Sequence, residues 1–304
     1  MATSFHFQGT HGSTELITSA MQMKPSAVLL FLEGDQIRDL SLCEDLGSLV
    51  DPRHHLNLMI SKCPDFWVGV VMPDRVHGDG FSCYDNMLDS TTETGEPLRY
   101  RGDSYKASSH LADILEAVST QQLHQPGQLS LLGLPCHIVA FSKGGVVLNQ
   151  LLCEVACYEE ALLLAASQDN SVEISAAPSV SSSRAAQFMD SVNHVHYLDA
   201  GLQGRGVHVT DVRIIQNLAL RGMRASAEAS VVDASAVQRL IVHFHGTPRQ
   251  WCDPRRQWIS QEKDRSIALM KEAGVPVTEH LYFQGQRRSA RQHFAVIEAM
   301  QPTM

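Results

Sequence analysis

An α/β fold is what this sequence predicts, with a mostly parallel, doubly wound sheet and helices on both faces. Three observations predict it. Short runs rich in Val, Ile, Leu and Phe recur at 26–32, 66–72, 137–141, 195–198, 240–245 and 275–283. Most are too continuously apolar for a strand with one wet face, so they read as strands covered on both sides. Helix-forming stretches separate them, which is the spacing of βαβ units. Finally, 304 residues at 44% hydrophobic content suffice for one large unit over residues 1–304.

The elements follow in order. Residues 26–32 form a buried strand that runs into Glu33-Gly34-Asp35. A helix is predicted over 38–49. The strand at 66–72 stops at Pro73, which has no N–H to extend a ladder. Residues 74–108 are polar and Gly-rich, the signature of a long loop over one end of the sheet. A helix over 109–122 follows, capped by Ser108 or Ser109, and then a turn at Pro126-Gly127. After the strand that ends at Phe141, a long helix runs to about Ala166. Residues 167–183, rich in Ser, Ala, Asn and Asp, read as a flexible insertion. Strand 195–198 ends at Asp199-Ala200-Gly201, and strand 240–245 ends at Gly246. A helix over 258–273 leads to the last strand at 275–283, and His293 opens a final helix.

The stretch from His137 to Gln150 organises the chain. A β-branched run leads into Ser142, which small residues flank at Ala140 and Gly144, and a helix-forming run follows. Strand, sharp turn and helix with serine at the turn make a nucleophile elbow, in an Ala-x-Ser-x-Gly version of the α/β-hydrolase motif. The turn strains the serine backbone and brings the residues two before and two after it close together, so both must be small. The helix N-terminus then points toward any developing oxyanion.

A serine nucleophile needs a base and an acid to orient it, in the chain order Ser, Asp or Glu, His. His293 is the histidine beyond the last strand and takes the base position. Two aspartates compete for the acid. Asp253 follows the strand at 240–245, the commoner location, and is favoured. Asp199 ends the preceding strand and is the alternative. The expected oxyanion donors are the backbone N–H of Lys143 and that of Gly34 or Asp35. The Lys143 side chain is expected to point to solvent. The pairs His194/His196 and His243/His245 each share a strand face. With no acidic or cysteine ligand spaced with them, they read as core or rim histidines bonded to backbone. No metal and no cofactor is expected.

The expected function is therefore a serine hydrolase that cleaves an ester or thioester through an acyl-enzyme, acting on a small acyl or lipid-like substrate. The alternative is a non-catalytic protein of the same fold that binds a protein partner or metabolite through the 74–108 loop. A net charge of −9 and the absence of a basic run argue against nucleic acid as the main partner. No apolar run reaches membrane-spanning length. Seven scattered cysteines without a Cys-x-x-Cys pair suggest reduced thiols, in the cytoplasm or an organelle matrix. The first residues show neither a secretory signal nor an arginine-rich transit pattern.

Several blocks carry a resemblance: Phe81-Ser-Cys-Tyr-Asp-Asn86, Phe141-Ser-Lys-Gly-Gly-Val-Val-Leu-Asn-Gln150, Leu198-Asp-Ala-Gly201, Asp253-Pro-Arg-Arg-Gln-Trp-Ile259 and His293-Phe294. Over residues 25–300 the chain resembles an uncharacterised eukaryotic family of α/β-hydrolase-like proteins. Its animal members are mitochondrial and are described as serine esterases or lipases. The resemblance implies Ser142 as nucleophile and supports His293. It leaves both aspartates open, since both sit in matching blocks, and supplies no substrate. Ala140 departs from the usual glycine.

Overall fold

Residues 2–19, 25–37, 45–78, 80–122, 130–167, 183–228 and 239–302 are described by the computed structural model. An eight-stranded sheet runs through the molecule. Its strands are β1 (Ala2–Gly9), β2 (Gly12–Ser19), β3 (Ala27–Leu32), β4 (Phe66–Val71), β7 (Cys136–Phe141), β8 (Val192–Leu198), β9 (Ile241–Gly246) and β10 (Val277–Leu281). Between β4 and β7 the short strands β5 (Arg75–His77) and β6 (Phe81–Cys83) form a separate hairpin. The sheet order is β1-β2-β4-β3-β7-β8-β9-β10. From β4 to β10 every pairing is parallel, whereas β2 runs antiparallel to both neighbours.

The strands alternate residues between two faces, as the pleat requires. On one face Val28, Leu30, Ile138, Ala140, Val195, Tyr197, Val242 and Phe244 join one core cluster. Helices α2 (Lys106–Gln122), α3 (Gly145–Ser167), α4 (Arg184–Ser191), α5 (Val212–Glu228) and α7 (Gln257–Ala273) contribute to it. On the other face Leu29, Phe31, Val68, Val70, Val139, Phe141 and Leu198 pack with α1 (Pro52–Lys62) and α8 (Ala290–Ala299). A four-residue turn of helix, α6 (Pro248–Trp251), follows β9.

Some expectations shift. The predicted helix over 38–49 falls mostly on residues outside those described; its end is the 3₁₀ turn Gly47–Val50. The turn at Pro126-Gly127 and nearly all of the 167–183 insertion also lie outside the described residues. Helix α2 begins at Lys106, earlier than expected, so neither Ser108 nor Ser109 is its cap. The Glu154 carboxylate, arriving from α3, accepts the N–H groups of Ala107 and Ser108 at 3.0 and 2.7 Å. It satisfies first-turn donors that have no intrahelical acceptor. Residues 74–108 are more ordered than a bare loop: they hold the β5–β6 hairpin and a 3₁₀ turn, Gly102–Ser104.

Candidate active site

Ser142 stands at the carboxyl end of β7, where the chain turns sharply into α3 through a short 3₁₀ turn. Its φ is +50°, in the left-handed region that a side chain makes costly. Two glycines permit the turn. A Cβ on Gly144 would lie 2.4 Å from the Leu32 carbonyl oxygen, and one on Gly34 would lie 2.8 Å from Ser142 Cβ. Only hydrogen fits at either place. Ala140 is fully buried and fills the position that usually holds a third glycine.

His293 comes from the first turn of α8. Ser289 caps that helix in a capping box with Gln292, which fixes where the imidazole sits. His293 Nε2 lies 3.0 Å from Ser142 Oγ, and its Nδ1 lies 2.6 Å from Asp199 Oδ2. An ionised carboxylate only accepts, so Nδ1 carries the proton and Nε2 is left to accept from the serine. The Phe141 ring, 4.8 Å from the imidazole centroid, packs against it.

The preference for Asp253 is corrected by these distances. Asp253 sits among guanidinium groups: Arg288 at 3.3 Å and Arg255 and Arg256 at 3.4 Å each. It also accepts the Arg255 N–H at 3.0 Å. That backbone bond, helped by the arginines, holds its carboxyl down at about 2. Asp253 is thus an anchor for the turn before α7. Asp199, fully buried, is held by neutral donors. The Thr247 N–H reaches Oδ1 at 2.7 Å, and the Thr247 hydroxyl reaches Oδ2 at 3.0 Å. Its backbone φ is +46°, a second strained residue at the carboxyl end of the sheet. Gln250 Nε2 donates to the Asp199 carbonyl at 3.2 Å. Thr247 and Gln250 were missed by sequence reasoning. Their one signal was position, just past the end of β9.

The expected oxyanion groups cluster beside the serine. The Lys143 amide lies in the first turn after it, where N–H groups lack intrahelical acceptors. The Gly34 amide is already committed, donating to the Glu33 carboxylate at 3.3 Å. This leaves the Asp35 amide as the better second donor. Glu33 is itself fixed, with Oε1 2.6 Å from His55 Nδ1. Burial works against charge on His55, but Glu33 and the Leu49 carbonyl outweigh it and raise the pKa. The 74–108 segment also holds the 33–35 turn in place. Tyr84 OH donates to the Glu33 carbonyl, Ser82 Oγ to the Gly34 carbonyl and the Ser82 N–H to Asp35 Oδ1, all within 2.8 Å.

The Lys143 side chain does not point to solvent, contrary to expectation. It is 1% exposed and ion-paired with Glu96, and it donates to the Thr94 carbonyl at 3.2 Å. The residue next to the serine thereby ties the 74–108 segment to the elbow. A cavity of about 280 Å³ opens beside Ser142 and His293. Ile37, Leu46 and Phe294 give it an apolar side, and Asp35, Glu96, Arg249 and Arg256 a polar one.

The histidine pairs sit on the α1–α8 face of the sheet, and they contact each other rather than backbone. His194 Nδ1 lies 3.0 Å from His243 Nε2, and His196 Nδ1 lies 3.1 Å from His245 Nε2. His243 and His245 reach on to the Thr278 and Tyr282 hydroxyls. His137 stacks on His194 with centroids 4.5 Å apart. Burial pushes His137 and His245 down to about 3 and His243 to about 4, so this ladder is neutral. Its ring nitrogens approach within 4.8 Å in two groups of three. The ring planes within these groups lie 11 to 28° apart, and the two ring-to-ring hydrogen bonds already occupy a nitrogen on each of His194, His196, His243 and His245.

The strand order with its reversed second strand, and the strained serine between β7 and α3, define a protein of the α/β-hydrolase fold. The chain belongs to the C2orf69 family, whose sequence profile matches residues 121–276. It is 29% identical over 288 residues to the human mitochondrial protein C2orf69, covering 79% of this chain and 64% of that one. It is 29% identical over 249 residues to the zebrafish (Danio rerio) homolog, covering 78% and 61%. The chain thus spans about three fifths of the length of these relatives. Among solved structures, the Bacillus cereus carboxylesterase matches at 12% identity with a TM-score of 0.37, covering 98% of this chain and 93% of that one. A Pyrococcus horikoshii acylaminoacyl peptidase matches at 10% with a TM-score of 0.45, covering 99% and 40%. Strand order and elbow define the fold independently of these likenesses. Among the described residues, no helix is long and apolar enough to cross a membrane.

Proposed function

We propose that this chain is a serine hydrolase acting on an ester or thioester, with Ser142 as nucleophile, His293 as base and acid, and Asp199 orienting the imidazole. The observation that carries this reading is the continuous path from Ser142 Oγ through the imidazole to a buried carboxylate, at 3.0 and 2.6 Å. In the first half-reaction Oγ attacks the carbonyl carbon while Nε2 takes its proton. The tetrahedral oxyanion lies against the Lys143 and Asp35 amides. Collapse breaks the bond to the leaving group, which receives the proton from Nε2, and an acyl-serine remains. Water, deprotonated by the same nitrogen, then releases the acid and restores the serine. The apolar wall at Ile37, Leu46 and Phe294 suits an acyl chain. A mitochondrial location, after the relatives' names, belongs to the same proposal.

The test is labelling by an alkyl fluorophosphonate, followed by mass spectrometry of the adduct. Wild type should carry the probe on Ser142, and Ser142→Ala should carry none. Folded wild-type protein that stays unlabelled would overturn the reading.

A further inference from the structure

The charges around the cavity do not cancel. Glu96 is paired with Lys143. Asp35 accepts the Ser82 N–H, and burial raises its pKa and so weakens its charge. Arg256 shares Asp253 with Arg255 and Arg288 and donates to the Arg249 carbonyl at 3.2 Å. Arg249 is the exception. Its guanidinium has no carboxylate within 4.0 Å and no hydrogen-bond acceptor among the described residues, and its Nε is buried without a partner. It lines the same cavity as Ser142 and His293, two residues beyond the threonine that holds Asp199. Beside it Gln250 Oε1 is also buried without a donor.

A half-buried guanidinium without a counter-ion is costly. Proteins that keep one beside a binding cavity commonly use it for an anion brought by the ligand. Asp199 and Asp253 act on Arg249 only from beyond ion-pair distance, and Asp199 and the turn after β9 are held by Thr247 and Gln250. We infer that the cavity has an anion subsite centred on Arg249 and supported by Arg256, and that the ester cleaved at Ser142 carries a carboxylate or phosphate on the part that reaches it. This substrate class rests on the hydrolase reading, whereas the anion subsite itself does not. The geometry gives the substrate two ends: an apolar segment against Ile37, Leu46 and Phe294, and a charged one against the arginines. A planar carboxylate can accept from a guanidinium in bidentate fashion, and a phosphate can do so with oxygens to spare.

Two measurements on the full chain separate the layers. The first is thermal unfolding of Ser142→Ala with and without glutarate or inorganic phosphate, against Ser142→Ala/Arg249→Gln. At tenfold excess over Kd the better anion should raise the Tm of the first protein by about 3 °C and leave the second unmoved. The larger of the two shifts tells carboxylate from phosphate. Equal shifts in both proteins, or none in either, would remove the subsite whether or not the protein is an enzyme. The second is the ratio of kcat/KM for p-nitrophenyl hemiglutarate over neutral p-nitrophenyl pentanoate. A ratio of about ten is expected for wild type, the worth of one charge-assisted contact. It should fall to near one in Arg249→Gln and recover in part in Arg249→Lys. A wild-type ratio near one on protein that takes the fluorophosphonate would refute the anionic substrate while the hydrolase reading stands. Anion-dependent stabilisation of protein that refuses the probe would do the reverse.

Discussion

Two aspartates near the carboxyl end of this sheet look alike in sequence and behave differently in space. Asp199 and Asp253 follow consecutive strands, and both are buried, at 0% and 8% exposure. Asp253 collects three guanidinium groups and a backbone N–H, so its charge is already neutralised. Asp199 is held by a threonine N–H on Oδ1 and a threonine hydroxyl on Oδ2, which orient the carboxylate without neutralising it, and Oδ2 also accepts from His293. An acid supported by uncharged donors can still stabilise an imidazolium. An acid surrounded by arginines serves as a structural anchor.

The largest expected effect breaks this contrast at its active side. Asp199→Asn should lower esterase turnover on the order of 10⁴-fold by leaving the imidazole in the wrong tautomer, while Asp253→Asn should leave kcat within about twofold. Steady-state rates on a p-nitrophenyl ester read both, and equal losses would erase the distinction. Next in size is the paired charge beside the serine. Glu96→Gln leaves Lys143 buried without a carboxylate and should cost about 3 kcal/mol in urea unfolding. A cost below about 0.5 kcal/mol would mean that the ammonium finds water instead. Thr247→Val removes one of the two neutral donors to Asp199. It should cost about 1 kcal/mol of stability and about tenfold in kcat, with KM little changed.

The smallest effect sharpens the structural side. The Asp253 carboxyl is lowered to about 2 in the folded protein, below its unfolded value near 4. A carboxyl depressed on folding contributes stability that is fully present above the unfolded pKa and is lost as pH falls through the folded one. The stability difference between wild type and Asp253→Asn should therefore be present at pH 5, shrink below pH 4 and vanish near pH 2. Given the exposed arginines around it, this difference should stay under about 1 kcal/mol. A difference that persists at pH 2 would assign it to packing rather than charge.

Much of the architecture was legible because burial on both faces forces continuous apolar runs, and all six predicted strands are present within a few residues. In the main sheet the two that escaped, β1 and β2, form its edge, and the short β5 and β6 of the separate hairpin escaped as well. Ala2–Gly9 alternates half-buried and exposed residues, so no apolar run announces it. Helix α1 was also missed, although Asp51 accepts the Arg53 N–H at 2.9 Å and Pro52 stands at the first position, both readable start signals. Its histidines and asparagine hid the apolar stripe of Leu56 and Met59. Each histidine pair was legible as sharing one face of its own strand. That they face each other, with His137 added from β7, was not, because strand adjacency lies outside any local pattern.

What the sequence determined by itself is the elbow and the late histidine. A strained serine turn needs small residues at fixed offsets, and the order of elements leaves one place for a late histidine to reach it. What only the tertiary structure decided is which acid faces that base, where the Lys143 ammonium goes and which cation is left over in the cavity. The first two depend on partners 94 and 47 residues away in the chain, brought together by the order of the strands. Spacing along a sequence can fix a backbone conformation, but a charge takes its role from whatever surrounds it after folding.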